Sequence, residues 1–189
     1  FMFISQDNVD WLGAGFVIGI SIWLRPDGVT LLGPAIFCLV LNRSSVKDKL
    51  KGILLVLLGF AVPLSLYFLF QFWVGGSWMP NTFFAKQAEY RELLAAPIIN
   101  RFFSLASLPL VGAGVLLLPG FCYCLCKFTK ARRWAALSAG IWWLGYIAMY
   151  AIRLPVTYQH GRYLIPAMPV FFILGCVGVV DLVHKLLRR

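Results

Sequence analysis

The chain has 189 residues, of which 61% are hydrophobic and 13% charged, with a net charge of +10. Soluble domains carry about 25% charged residues, so this composition excludes a soluble domain with a large core. Eleven of the 17 basic residues lie in three groups: Arg43, Lys47, Lys49 and Lys51; Lys127, Lys130, Arg132 and Arg133; and Lys185, Arg188 and Arg189. They occupy alternate connectors, as the positive-inside rule requires of a cytoplasmic face, and no soluble nucleic-acid-binding fold accompanies them. The excess charge is therefore topological, and nucleic acid is not an expected partner.

FMFI (1–4) reads as the tail of an earlier span. The first residue is Phe1 and no basic n-region precedes the apolar material, so the chain is expected to begin partway through a larger protein. Uncharged runs then cover 52–85, 102–126, 134–152 and 163–180, and an apolar helix of about 20 residues crosses a hydrocarbon core. Two shorter apolar runs, 11–24 and 28–42, flank RPDG and read as a tight transmembrane hairpin.

With the basic groups inside, the spans are expected at about 9–24, 28–42, 52–74, 102–126, 134–152 and 164–184. Three external segments, about 24–28, 75–101 and 153–166, then share one face. The expected fold is all-α, a polytopic transmembrane bundle of about six spans forming a single domain over 1–189, with external loops carrying short helices.

Within 75–101, QAEYRELLAAPIINR sets Tyr90, Leu93, Leu94 and Ile98 at helical spacing against Glu89, Arg91 and Glu92. This suits an amphipathic helix on the outer surface or a solvated linker helix. Trp73, Trp78, Trp142, Trp143, Tyr158 and Tyr163 read mostly as aromatic-belt anchors. Prolines 63, 109, 119, 166 and 169 fall in or beside spans and can kink them. The five cysteines, 38, 122, 124, 126 and 176, lack metal-site spacing and read as small apolar helix residues.

The external face carries Arg25, Lys86, Arg91, Arg101, Arg153 and Arg162, with His160, against Asp27, Glu89 and Glu92. Cations retained outside can bind lipid phosphate through charge-assisted hydrogen bonds, with ordinary headgroup contact as the alternative. Pro80-Asn81-Thr82 breaks the chain as it leaves the membrane, and Thr82 is placed to cap a helix carrying Lys86. YQHGRYLIP sets Tyr158, His160, Arg162 and Tyr163 within six positions. Rings beside cations suit a sugar phosphate; an interfacial tyrosine belt with a snorkelling arginine is the other reading. No nucleophile constellation, P-loop, dinucleotide motif or metal cluster is apparent, and His160 and His184 fall on opposite sides of the membrane.

LRPDG (24–28), GSWMPNTFFAK (76–86) and GRYLIP (161–166) together resemble the later half of a GT-C-type membrane glycosyltransferase. The likeness is to bacterial enzymes that use polyprenyl-phosphate sugars, the arabinofuranosyltransferase-like group, with (L/T)RP(D/E)G, G-x-x-x-PNT-x-x-AK and GRYLxP segments in this order. The resemblance implies transfer of a hexosyl or pentosyl group from a polyprenyl-phosphate donor to an acceptor hydroxyl on a glycan, lipid or protein. The active face would be the periplasmic or extracytoplasmic side of a bacterial cytoplasmic membrane. Arg25, Lys86 and Arg162 would hold the donor phosphate, while Asp27, Asn81, Tyr158, His160 and Tyr163 would position sugar or acceptor. The catalytic carboxylate of such enzymes usually lies in the first external loop, which would be upstream of Phe1, so no catalytic residue is assigned. No cofactor is implied beyond the lipid-linked substrate, and a divalent metal requirement stays open. A lipid-linked-saccharide flippase would use the same basic face and needs polar residues at mid-membrane depth. A non-catalytic scaffold subunit would tolerate loss of the external cations.

Overall fold

The computed structural model describes residues 10–42, 44–78, 85, 88–157 and 161–188. The described residues are all-α and contain no strand. Their α-helices are α1 (Trp11–Leu24), α2 (Leu32–Leu41), α3 (Val46–Gly75), α4 (Ile98–Ala106), α5 (Leu118–Lys130), α6 (Trp134–Arg153) and α7 (Met168–Leu187).

Four helical segments are long and apolar enough to cross a membrane: Val46–Gly75, Gly112–Lys130, Trp134–Arg153 and Met168–Leu187. The protein is thus a membrane protein of helical-bundle type. α3, with 30 residues, extends about 45 Å, longer than a hydrocarbon core of about 30 Å. Its ends suit that excess, with Lys47, Asp48, Lys49 and Lys51 at one and the exposed Trp73 at the other.

The chain divides into two compact units. Unit one holds the described residues up to Trp78, together with Trp134–Ser138. Asp10 starts α1 by accepting from Gly13 N at 2.9 Å, and Ser45 caps α3 by accepting from Asp48 N at 3.2 Å. α1 lies directly against α3 because both present glycine at the crossing. A methyl group at Gly15 would overlap the Val56 carbonyl, and one at Gly59 would overlap the Leu12 carbonyl. Such small-residue seams let backbones touch where lipid supplies no hydrophobic drive. Ile18, Ile22, Ala35, Phe60 and Tyr67 make the core. Pro63 lies inside α3, and its own carbonyl accepts from Trp23 Nε1 at 3.1 Å. Gly76, at φ +65°, closes α3 in the left-handed conformation that glycine adopts without steric cost.

Unit two holds the described residues of Ala85–Arg133 and from Ala139 onward. α5 and α7 repeat the seam: side chains at Gly120 or Gly178 would run into the facing backbone. Phe121, Trp143 and Phe171 pack together, with centroids 5.0 to 5.4 Å apart and only Trp143 and Phe171 stacked.

Several expected boundaries move, each for a local reason. The span expected over 102–126 is not one α-helix. α4 ends at Ala106, 3-10 turns follow at Leu108–Leu110 and Gly112–Leu117, and α5 starts at Leu118. Pro109 has no N–H to continue α4, Gly112 turns left-handed at φ +63°, and Pro119 suits the first turn of a new helix. Pro97 likewise splits the amphipathic segment 87–101 into a 3-10 turn, Arg91–Ala95, and α4. Of its apolar positions, Tyr90 is buried but Ile98 is exposed. RPDG runs on as a 3-10 helix to Leu31, leaving α1 and Pro26–Leu41 as shorter apolar helices than the four above. The last helix begins at Met168, because 161–167 form turns and Pro169 occupies its first turn.

Candidate functional site

The LRPDG segment lies in unit one. α1 stops at Leu24, and Arg25 adopts an extended backbone (φ −151°, ψ 128°) while its N–H still reaches the Ser21 carbonyl at 3.0 Å. Pro26 opens the following 3-10 helix and places Asp27 in its first turn. Gly28 backs onto Ser21, whose side chain leaves no room for a Cβ. The turn therefore brings Arg25 and Asp27 together as a bidentate pair, Nε to Oδ1 at 3.2 Å and Nη2 to Oδ2 at 3.1 Å. The Asp27 side chain is 11% exposed and that of Arg25 42%. An anion approaching Arg25 meets a cation already balanced by a carboxylate.

The GRYLIP segment lies in unit two and is built differently. Gly161 has φ +67°, and the chain coils through Leu164 N to Gly161 O at 2.7 Å and Ala167 N to Leu164 O at 2.9 Å. Tyr163 is buried. Its carbonyl accepts from Tyr146 Oη at 3.1 Å, and its ring lies 5.8 Å from that of Tyr150. Arg162 stays exposed, its guanidinium 5.5 Å from the Tyr163 ring centroid. That is cation–π range, which orients the cation without neutralising it. Tyr163 is thus largely covered, with its ring near both Arg162 and Tyr150.

Two more cations belong to the same unit. Arg101, on α4, donates through Nη1 to the Ala151 carbonyl at 2.8 Å. Arg153 is the exposed last residue of α6. Among the described residues, Arg101, Arg153 and Arg162 form no ion pair. Lys86, Asn81, Tyr158 and His160 lie outside the described residues, as does Thr82.

The chain matches no family model, no curated protein and no solved structure. The side chains themselves carry what functional information there is. They offer cations of two kinds, one closed by a carboxylate in unit one and a group left open in unit two.

Sequence reasoning passed over two features. Lys127 reads as a connector residue, yet it lies in α5 and pairs with Asp181 of α7. The signal was the isolated Asp181 at the end of an otherwise uncharged run. Arg101 reads as one external cation among six, although it interrupts an apolar helix, IINRFFSLA, which marked it out. The aromatic-belt reading also divides: Trp73 is 85% exposed and suits an interfacial anchor, whereas Trp143 is 6% exposed and belongs to the core.

Proposed function

We propose that the chain is the donor-binding portion of a membrane glycosyltransferase that takes its sugar from a polyprenyl-phosphate carrier. The observation that carries this reading is Arg162, an exposed guanidinium held over a buried tyrosine, paired with no carboxylate among the described residues, shortly before a membrane-length helix. A phosphate ester on a lipid carrier lies at the membrane surface. A guanidinium binds it through charge-assisted, bidentate hydrogen bonds and stabilises it as it departs from the anomeric carbon.

Arg162 and Lys86 take the donor phosphate in this reading; Arg25 could take a phosphate only after release from Asp27. Asn81, Tyr158 and His160 position sugar or acceptor. The acceptor is a hydroxyl of a glycan, lipid or protein, and inversion at the anomeric carbon requires a carboxylate base, a role given to no residue named here. The site faces the extracytoplasmic side of a bacterial cytoplasmic membrane.

The test is sugar transfer from a radiolabelled polyprenyl-phosphate donor by the full-length protein. Arg162→Ala and Lys86→Ala are each expected to lose at least about tenfold in rate or donor affinity, the worth of one charge-assisted bond. Wild-type transfer and donor affinity in both variants would defeat the assignment.

A further inference from the structure

α5 and α7 run side by side in the same direction. Gly120 lies against the backbone of Gly175 and Gly178, and further along both helices Lys127 pairs with Asp181. Their last turns therefore emerge together. Both close membrane-length segments, Gly112–Lys130 and Met168–Leu187, so these ends reach the headgroup layer rather than the hydrocarbon.

Charge at this end is one-sided. Lys130, Arg132 and Arg133 close α5 and the turn after it, Lys185 and Arg188 close α7, and all five are exposed. Asp181 is the one carboxylate of either helix, and Lys127 already takes it. Arg133 and His184 stand within electrostatic reach of the same carboxylate, which puts the two helix ends on one surface. Among the described residues, none of the five exposed cations forms an ion pair.

The backbone adds a second observation. α5 ends in a Schellman-type turn, with Arg133 N donating to Phe128 O at 2.9 Å and Arg132 N to Thr129 O at 3.2 Å. The residue just past the helix is left-handed in such a turn, and glycine is its usual occupant. Here it is Arg132, at φ +52°, the one non-glycine residue with positive φ among the described residues. A Cβ in that conformation crowds the following carbonyl, so this side chain is carried against a steric cost at the tip of a basic turn. Strain of that kind points to a use for the side chain.

We infer that the joined ends of α5 and α7 are a binding surface for anionic phospholipid headgroups, centred on Lys130, Arg132 and Arg133. Exposed Val183, Leu186 and Leu187 flank Lys185 on α7, so apolar side chains enter the acyl layer while the longer cations reach phosphate. That mixture suits a lipid better than a soluble acidic protein. Asp181 occupies Lys127 in the seam and leaves the other cations for phosphate. The inference is independent of glycosyl transfer.

The test is the affinity of the full-length protein in neutral detergent for phosphatidylglycerol, with phosphatidylcholine as the neutral probe, read from lipid-induced rises in melting temperature. Wild type is expected to bind phosphatidylglycerol at least about tenfold more tightly than phosphatidylcholine, a preference that shrinks in molar salt. Arg132→Gly relieves the left-handed strain and should melt at or above wild type without lipid, yet bind phosphatidylglycerol about fivefold more weakly. Lys185→Gln, on the other helix, should weaken binding by a similar factor, whereas Arg91→Gln, on an exposed 3-10 turn, should bind as wild type. A merely structural turn would gain from the glycine and lose nothing in lipid binding. Wild-type phosphatidylglycerol affinity in a folded Arg132→Gly protein would overturn the inference, as would equal affinity for the two lipids. Stabilisation by soluble polyglutamate but not by phosphatidylglycerol would assign the surface to an acidic protein and overturn it equally.

Discussion

Arg25 and Arg162 both sit in Gly- and Pro-containing turns that join apolar helices, yet their partners differ. Arg25 is clasped by Asp27 through two hydrogen bonds, whereas Arg162 lies over an aromatic ring. A carboxylate competes with a phosphate for the same guanidinium edge; a ring holds the cation in place and leaves its hydrogen-bonding edges for another anion. The first turn is thus a self-satisfied corner of unit one, and the second is a cation presented by unit two.

The strongest way to break this contrast is to remove the frame behind Arg162. Gly178→Leu would force a side chain into the Gly120 backbone, and the α5–α7 seam would have to separate. A loss of several kcal/mol is expected, of the order of a severe overpacking defect, read as a fall in melting temperature together with loss of the folded state on size-exclusion chromatography. Next in size, Arg162→Ala should weaken polyprenyl monophosphate binding by at least about tenfold while leaving the melting temperature within a few degrees, since the side chain is exposed.

Asp27→Asn sharpens the comparison from the other side. Removing the carboxylate should cost about 1 kcal/mol of stability, discounted because the Arg25 side chain is 42% exposed. It should raise phosphate affinity by a few fold if Arg25 is thereby released, which calorimetric titration would detect. The smallest effect is expected of Tyr146→Phe, which deletes the hydroxyl that holds the Tyr163 carbonyl. About 1 kcal/mol should be lost, with a modest weakening of phosphate binding as the turn under Arg162 loosens.

Much of the helical architecture was legible because uncharged runs and basic groups are strong, long-range signals. The run at 134–152 became α6 with little change, while that at 52–74 became α3 only after extension back to Val46, through the expected connector residues Lys47, Lys49 and Lys51. What failed was continuity. The 102–126 run has no charge to mark a break, and only Pro109, Gly112 and Pro119 betray that its backbone turns before α5. Hydropathy reports where a segment is apolar, not whether its hydrogen-bond ladder is unbroken.

The site residues show the same limit. Charge and motif pointed to Arg25, Asp27 and Arg162, but partner choice is set by backbone geometry. The 3-10 turn after Pro26 swings Asp27 under Arg25, and the left-handed Gly161 leads into a turn that buries Tyr163 and leaves Arg162 outside. Arg101 was visible only as a charge in an apolar helix; its buried Nε depends on how α4 meets the end of α6.

The most direct test of the account is a side-by-side titration of wild-type, Arg162→Ala and Arg25→Ala full-length protein with a polyprenyl monophosphate in neutral nanodiscs. The account predicts that Arg162→Ala loses at least about tenfold in affinity while Arg25→Ala, whose cation is already paired with Asp27, loses less than about threefold. Wild-type affinity in Arg162→Ala would contradict it.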